Sequence, residues 1–145
     1  MSIDPREILN YGKGGILYMA VETSILKSVR SAVGLDAEDS SFDLELLMHI
    51  NGSIMILHQN GIGMPIHVED EEAVWDDFKN PMQEDANSMF SAAKTFIFIK
   101  TKILFDPPPP STIKYMSEAA DEYLWRLRES FDIGLSGVIV EVDLE

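Results

Sequence analysis

Residues 42–60 have the sequence FDLELLMHINGSIMILHQN, and this stretch decides the fold class. Its apolar residues lie on nearly every side of a helical projection. They are Leu44, Leu46, Leu47, Met48, Ile50, Ile54, Met55, Ile56 and Leu57. A helix that is hydrophobic all round is typically buried at the centre of a protein. The stretch therefore predicts a central helix with other helices packed around it, which Gly61 and Gly63 end.

Shorter amphipathic elements flank this central helix. Residues 22–33 place Ile25, Leu26 and Val29 on one side of a helix, and Gly34 follows as a helix terminator. Downstream, the acidic run 69–72 suits a first helical turn, because the helix macrodipole favours negative charge there. We therefore predict a short helix over 71–78 that turns Val74, Trp75 and Phe78 inward.

Residues 84–105 are predicted to form the longest helix. Its central segment, residues 95–99, would suit a strand equally well on propensity, but length and flanking lysines favour a helix. Prolines 107–110 break the chain rigidly. A final helix is predicted over 111–131. Its regular apolar stripe consists of Ile113, Met116, Ala120, Tyr123, Leu124, Leu127 and Phe131.

Residues 138–144 alternate apolar and acidic side chains, which is typical of a strand. An arm this short cannot stabilise itself, so we expect it to bind a partner. Its predicted partner-binding residues are Val138, Ile139, Val140, Val142 and Leu144. The predicted fold is mainly α: a small bundle of four to five helices with a strand-like C-terminal arm. We divide the chain into an N-terminal extension (1–21), a helical domain (22–132) and the arm (133–145).

The N-terminal extension contains a short glycine-rich segment that indicates a translation start inside the chain. Residues 12–15, Gly-Lys-Gly-Gly, can be encoded by a purine-rich sequence like a ribosome-binding site, a few codons before Met19. We hypothesise that translation starts at Met19 and that residues 1–18 are not translated. Intact-mass measurement of the natively expressed protein tests this hypothesis, and a full-length mass rejects it.

Composition limits the function classes. The chain has 145 residues, which suits one domain, and no cysteine, which excludes disulfides and thiolate metal sites. Its net charge of −14 argues against sequence-specific nucleic-acid binding, because that affinity comes mainly from Lys and Arg on phosphates. No apolar run reaches the roughly 18 residues of a membrane span. We therefore expect a soluble protein with no membrane or sequence-specific nucleic-acid partner.

Candidate catalytic and metal-binding residues fail on spacing. His49 and His58 are nine residues apart on one predicted helix, about 13.5 Å along its axis, whereas helical metal pairs are three or four residues apart. The acidic run 69–72 lacks the spacing of a calcium loop. The glycines at 12–15 do not match a phosphate-binding loop. We therefore predict no enzymatic activity, no metal site and no cofactor.

The proline break is predicted to be a structural turn formed by Asp106, Pro107, Pro108, Trp125 and Arg126. An ion pair between Asp106 and Arg126 would bridge the last two helices. Trp125 suits either the core or an interface, since aromatic residues are enriched at interface hot spots.

Five segments of the chain together resemble one known family. They are 43–51 (DLELLMHIN), 56–63 (ILHQNGIG), 75–78 (WDDF), 102–108 (KILFDPP) and 122–127 (EYLWRL). In order and spacing the chain resembles the small head–tail connector, or adaptor, proteins of tailed bacteriophages. The Leu-Phe-Asp-Pro-Pro segment followed by Trp-Arg-Leu is the most specific signal. Residues 1–18 and the run of four prolines depart from the family pattern.

This resemblance implies a structural protein of the virion neck that is assembled in the host cytoplasm. Such adaptors form a ring, commonly a dodecamer, beneath the portal protein, and they present a surface to a stopper or tail-completion protein while DNA passes. A terminal arm often reaches into the portal, and residues 138–144 are the candidate arm here. The family brings no catalytic residue. The alternative interpretation is a phage-encoded acidic regulator that binds a host protein.

Overall fold

The computed structural model describes the backbone of residues 22–143 and their side chains except those of 84–89 and 131–143. This part of the chain forms five helices and one 3₁₀ segment. The helices are α1 (Ile25–Ala32), α2 (Asp43–Gln59), α3 (Trp75–Phe78), α4 (Asn87–Phe105) and α5 (Pro110–Asp143), with the 3₁₀ segment at Pro81–Ala86. Within these residues the only β-type pairing is one isolated bridge between Ser24 and Val74. The predicted mainly helical bundle is confirmed.

Helix α1 begins where its sequence supplies a cap. The Ser24 hydroxyl accepts a hydrogen bond from the backbone N–H of Lys27 at 3.3 Å, as N-cap serines do. Ile25, Leu26 and Val29 are buried, which confirms the predicted inner side. After the helix, Gly34 adopts a φ of 96°, a conformation that glycine reaches at low cost.

Helix α2 lies against α1 and α4, and its inner side forms the centre of the core. Leu46, Ile50, Ile54 and Leu57 are each at most 1% exposed. The prediction that α2 is buried on every side is wrong. Neighbouring helices cover it on one side only, and the opposite side, which includes Leu44 and Met48, is exposed.

Helix α4 lies between α2 and α5, whereas α2 and α5 hardly touch each other. The helical prediction for residues 95–99 is confirmed, with Phe96 and Ile97 buried. Thr101 of the same helix is fully buried, whereas Leu104 is 56% exposed. Moreover, α4 has 19 residues and α5 has 34, so α4 is not the longest helix.

The strand predicted over 138–144 is wrong for its described part, because α5 continues as a helix to Asp143. The branched residues Val138, Ile139, Val140 and Val142 favour strands by propensity. Within the described chain no strand pairs with this segment, and a lone strand is unstable. Extending an existing helix instead adds one hydrogen bond per residue. Leu144 lies outside the described residues.

The connection from α2 to α3 covers the core and is held by hydrogen bonds from side chains. The Asn51 side chain donates to the Val68 carbonyl at 3.0 Å and accepts from the Val68 N–H at 2.8 Å. The Trp75 indole donates to the Ser28 hydroxyl at 3.0 Å, which ties α3 to α1. Trp75 and Phe78 are buried as predicted, but the helix begins at Trp75 because residues 71–72 form a turn.

Gly63 is a position where the fold requires glycine, and this leads to a first prediction. Its φ is 73°, and a Cβ there would lie 2.3 Å from the Phe78 ring. We expect Gly63→Ala to lower the free energy of unfolding by about 3 kcal/mol, combining overpacking with backbone strain. Gly61→Ala is the matched control, because Gly61 also has a positive φ but has open space around it. Urea denaturation measures both, and equal losses would contradict a steric role for Phe78.

Candidate functional site

The exposed side of α2 carries a row of large apolar side chains, which we call the α2 stripe: Leu44, Met48 and Met55. They are 89%, 65% and 56% exposed. At 3.6 residues per turn, these three positions fall within an arc of roughly 40° on the helix surface. Isolated exposed apolar residues are ordinary, whereas an aligned group marks an interaction surface. No described residue of the chain covers the stripe.

The apolar surface continues beyond α2 at one end of the bundle. The rings of Phe42, just before α2, and Phe105, at the end of α4, meet edge to face with centroids 5.3 Å apart. This contact makes α2 and α4 antiparallel neighbours. Phe42 is 44% exposed, and Leu104 beside Phe105 is 56% exposed. The start of α2 and the end of α4 therefore present apolar side chains at the same end of the molecule.

Gly52 lies next to the α2 stripe in the interior of the helix. Glycine inside a helix costs about 1 kcal/mol relative to alanine. A Cβ at Gly52 would meet no atom within 4 Å, so no contact within the described chain requires a glycine there. The missing side chain leaves the α2 backbone open to close approach by another molecule.

A buried arginine fixes the start of α2, and it was missed in the sequence. The Arg30 side chain is 1% exposed and forms ion pairs with Asp43 and Glu71, both at 2.6 Å. Its guanidinium also donates to the Ala37 carbonyl at 2.7 Å and, through Nε, to Asp43 at 2.9 Å. The hydrogen bonds with Asp43 hold the pKa of Arg30 above its usual range. Arg30 thus joins α1, the α1–α2 connection, α2 and the acidic run.

One signal for this network was present in the sequence. Arg30 is one turn after Leu26, so it lies on the buried side of α1 and needs a partner there. The acidic run 69–72, which is predicted to suit a first helical turn, supplies that partner as Glu71. The distance along the chain between Arg30 and Glu71 hides the pair from local pattern analysis.

The predicted ion pair between Asp106 and Arg126 is wrong. Asp106 pairs with Lys102 at 2.7 Å, and Arg126 pairs with Glu122 at 2.8 Å. In both observed pairs the partners are four residues apart along the chain, within a helix or at its end. Side chains at this spacing are neighbours on the helix surface, so they pair at little entropic cost. The α4–α5 connection contains Pro107 and Pro108 and ends where α5 begins at Pro110.

Trp125, which suits either the core or an interface by sequence, does not belong to the core, since its side chain is 60% exposed on α5. Exposed tryptophan is available for contacts with another molecule. Tyr115, two to three turns earlier on the same helix, is 72% exposed. The outer side of α5 therefore carries a second set of exposed aromatic residues.

The histidines occupy separate environments. His49 Nε2 lies 3.5 Å from a Glu45 carboxylate oxygen, the His58 ring lies 3.2 Å from the Gly63 carbonyl, and His67 is exposed. Among the residues described, no group of three or more His, Asp or Glu side chains is arranged to hold a metal ion. In the same part of the chain, none of the helices has the length and apolar character needed to cross a membrane.

Comparison with known proteins identifies the family. The family model described as phage connector protein matches residues 25–133, about three quarters of the chain. The matched region runs from the start of α1 into the second half of α5. No curated protein and no solved structure matches the chain. The chain therefore belongs to the phage connector protein family, whose members have a structural, non-enzymatic role in the phage neck.

Proposed function

We propose that copies of this chain form a ring, commonly a dodecamer in such adaptors, that joins the portal protein to a stopper or tail-completion protein. DNA passes through the ring. The observation that carries this proposal is the family match over residues 25–133. In this proposal the ring assembles in the host cytoplasm and stays in the virion neck.

The core and the exposed apolar surface of the subunit both support assembly into a ring. The buried Arg30 network gives the subunit a rigid core at the base of α2. The α2 stripe leaves three large apolar side chains exposed in an isolated subunit. Burying such side chains in an oligomer removes apolar surface from water, which is the main driving force for association. A ring supplies this burial for every copy.

The charge of the chain supports DNA passage without retention. The chain has 25 acidic and 11 basic residues, with a net charge of −14. Acidic side chains stand exposed on the connections around α1 and α3, including Asp36, Glu38, Asp70 and Glu72. Phosphates are repelled by such a surface, so DNA can move past without binding.

We propose that residues 138–144 contact the portal, with residues 138–143 as the end of α5. The short α4–α5 connection makes these helices antiparallel neighbours. With 34 residues against 19, α5 exceeds α4 by 15 residues, about 22 Å of helix. The end of α5 therefore extends past the start of α4, where a projecting segment can reach another protein.

Truncation tests the role of the C-terminal segment. We expect a chain ending at Gly137 to keep a cooperative unfolding transition at the same urea midpoint. Among the α5 side chains that the structure describes, the buried ones are Ala120 and Leu127, which the truncated chain keeps. The same truncation should abolish binding to purified portal. Circular dichroism and a pull-down on immobilised portal measure the two properties. Unchanged portal binding would remove residues 138–144 from the portal contact.

The ring itself is tested by size-exclusion chromatography with light scattering. The full chain is run alone and after mixing with purified portal. We expect a complex whose mass exceeds that of the portal by the mass of a complete ring of copies. Some adaptors form the ring only on the portal, so a monomer in the first run agrees with the proposal. A chain that stays monomeric in both runs would refute it.

A further inference from the structure

The charge of this chain is divided along its length. Residues 22–86, which contain α1, α2 and α3, hold 14 acidic and 3 basic side chains. Residues 87–117, which contain α4 and the first two turns of α5, hold 4 lysines and a single acidic residue, Asp106. Three of these lysines are half-buried and engaged within the subunit: Lys94 and Lys100 lie over aromatic rings, and Lys102 pairs with Asp106. Lys114 is the exposed one, so one copy offers an acidic surface and an exposed lysine that can attract each other between copies.

The α2 stripe and the exposed start of α5 are different surfaces of the subunit. Helix α4 separates α2 from α5, and the α2 stripe is exposed away from α4. In the first two turns of α5, Lys114 is exposed and Tyr115 is 72% exposed, so this surface also faces away from α4. A ring built by rotation needs two different surfaces of this kind, because each copy contacts its neighbours in a head-to-tail manner.

We propose that the α2 stripe of one copy packs against the first two turns of α5 of the next copy. This inference rests on the proposed ring. Leu44 and Met48 lie against the Tyr115 ring, and Glu45, exposed beside the stripe, pairs with Lys114 across the contact. Gly52 lets the two helices approach closely. This contact accounts for both the exposed apolar residues and the internal glycine of α2.

Charge also limits where on α5 the contact can lie. After Ser117 the outer side of α5 carries the carboxylates of Glu118 and Asp121. These carboxylates would face Glu45 with like charge, which is unfavourable in an interface. The first two turns, whose one charged side chain is Lys114, are therefore the part of α5 that fits the α2 stripe.

Site-specific cross-linking tests the contact, because the chain has no native cysteine. Met48→Cys and Tyr115→Cys are combined in the full chain, which is assembled on purified portal and treated with a short bismaleimide. We expect a ladder of covalent multimers on a denaturing gel, since each copy links to two neighbours. Met82→Cys with Tyr115→Cys is the matched control: Met82 is 89% exposed but lies outside the stripe, and it should give no ladder.

Charge reversal provides a second, reciprocal readout. Glu45→Lys should lower ring assembly about tenfold, and Lys114→Glu in the same chain should restore it. Assembled rings without a Met48–Tyr115 ladder would overturn the contact but leave the ring standing. Failure of the unmodified chain to assemble on portal would instead refute the ring itself. Cross-links from Met48→Cys to portal, or protection of Met48→Cys from maleimide in the monomer, would also overturn the contact.

Discussion

Replacing Arg30 with alanine is expected to lower the free energy of unfolding by about 4 kcal/mol. The Arg30 side chain is 1% exposed and bridges Asp43 and Glu71. Its removal deletes several charge-assisted hydrogen bonds and leaves a cavity between α1 and the start of α2. Asp43 and Glu71 keep partial access to water, at 25% and 41% exposed, so the loss stays below the upper limit of about 5 kcal/mol for stranding a buried charge.

Arg126→Ala is the matched control for Arg30→Ala. It removes the ion pair with Glu122, whose partners are 62% and 61% exposed, and should cost less than about 0.5 kcal/mol. Urea unfolding followed by circular dichroism at 222 nm measures both variants. Similar losses for the two arginines would show that burial of Arg30 contributes nothing special to the fold.

Placing glutamates on the α2 stripe is expected to abolish assembly while leaving the subunit folded. Leu44 is 89% and Met48 is 65% exposed, so Leu44→Glu with Met48→Glu should change the free energy of unfolding by less than about 0.5 kcal/mol. In an interface the same two charges would be buried without partners. Association with neighbouring copies should weaken at least about 100-fold.

Met82→Glu is the control for the stripe variants. Met82 has the same 89% exposure as Leu44 but lies in the 3₁₀ segment. Mass photometry of the chain with portal compares ring occupancy across the variants. Full occupancy with glutamates at Leu44 and Met48 would exclude the α2 stripe from any contact between copies.

Periodicity along the chain predicted the helices well, because burial of an apolar face is a local property of each segment. The boundaries of α1 and α2 follow from Ser24, Gly34 and Gly61, whose capping and turn preferences act over a few residues. The choice of helix over strand for residues 95–99 was also correct, since a strand there would have interrupted a longer helical pattern.

The exposure of one side of α2 could not be predicted in the same way. An apolar pattern around the whole helix shows that every side of α2 can be buried. It does not show whether the same chain or another molecule covers each side. Within the described chain only α1 and α4 pack closely along α2, so Leu44, Met48 and Met55 are left exposed. The pattern that predicted a buried helix is consistent with a helix whose last side is covered in an assembly.

Two further features of the structure differ from the sequence-based predictions, one because of a non-local contact and the other because of competing preferences. Arg30 finds Glu71 across 41 positions of the chain, a pairing that depends on the packing of three elements. Residues 138–143 combine a strand-like pattern with a position directly after a long helix, and helix extension prevails. The partner-binding role of that segment remains a prediction, because it concerns another molecule.

Electron cryo-microscopy of the neck in intact phage particles tests the central proposal most directly. We expect a ring of copies of this chain directly beneath the portal, each with the helical subunit described above and with α5 directed toward the portal. Neck density fully explained by other polypeptides, with no copy of this chain, would contradict a connector ring.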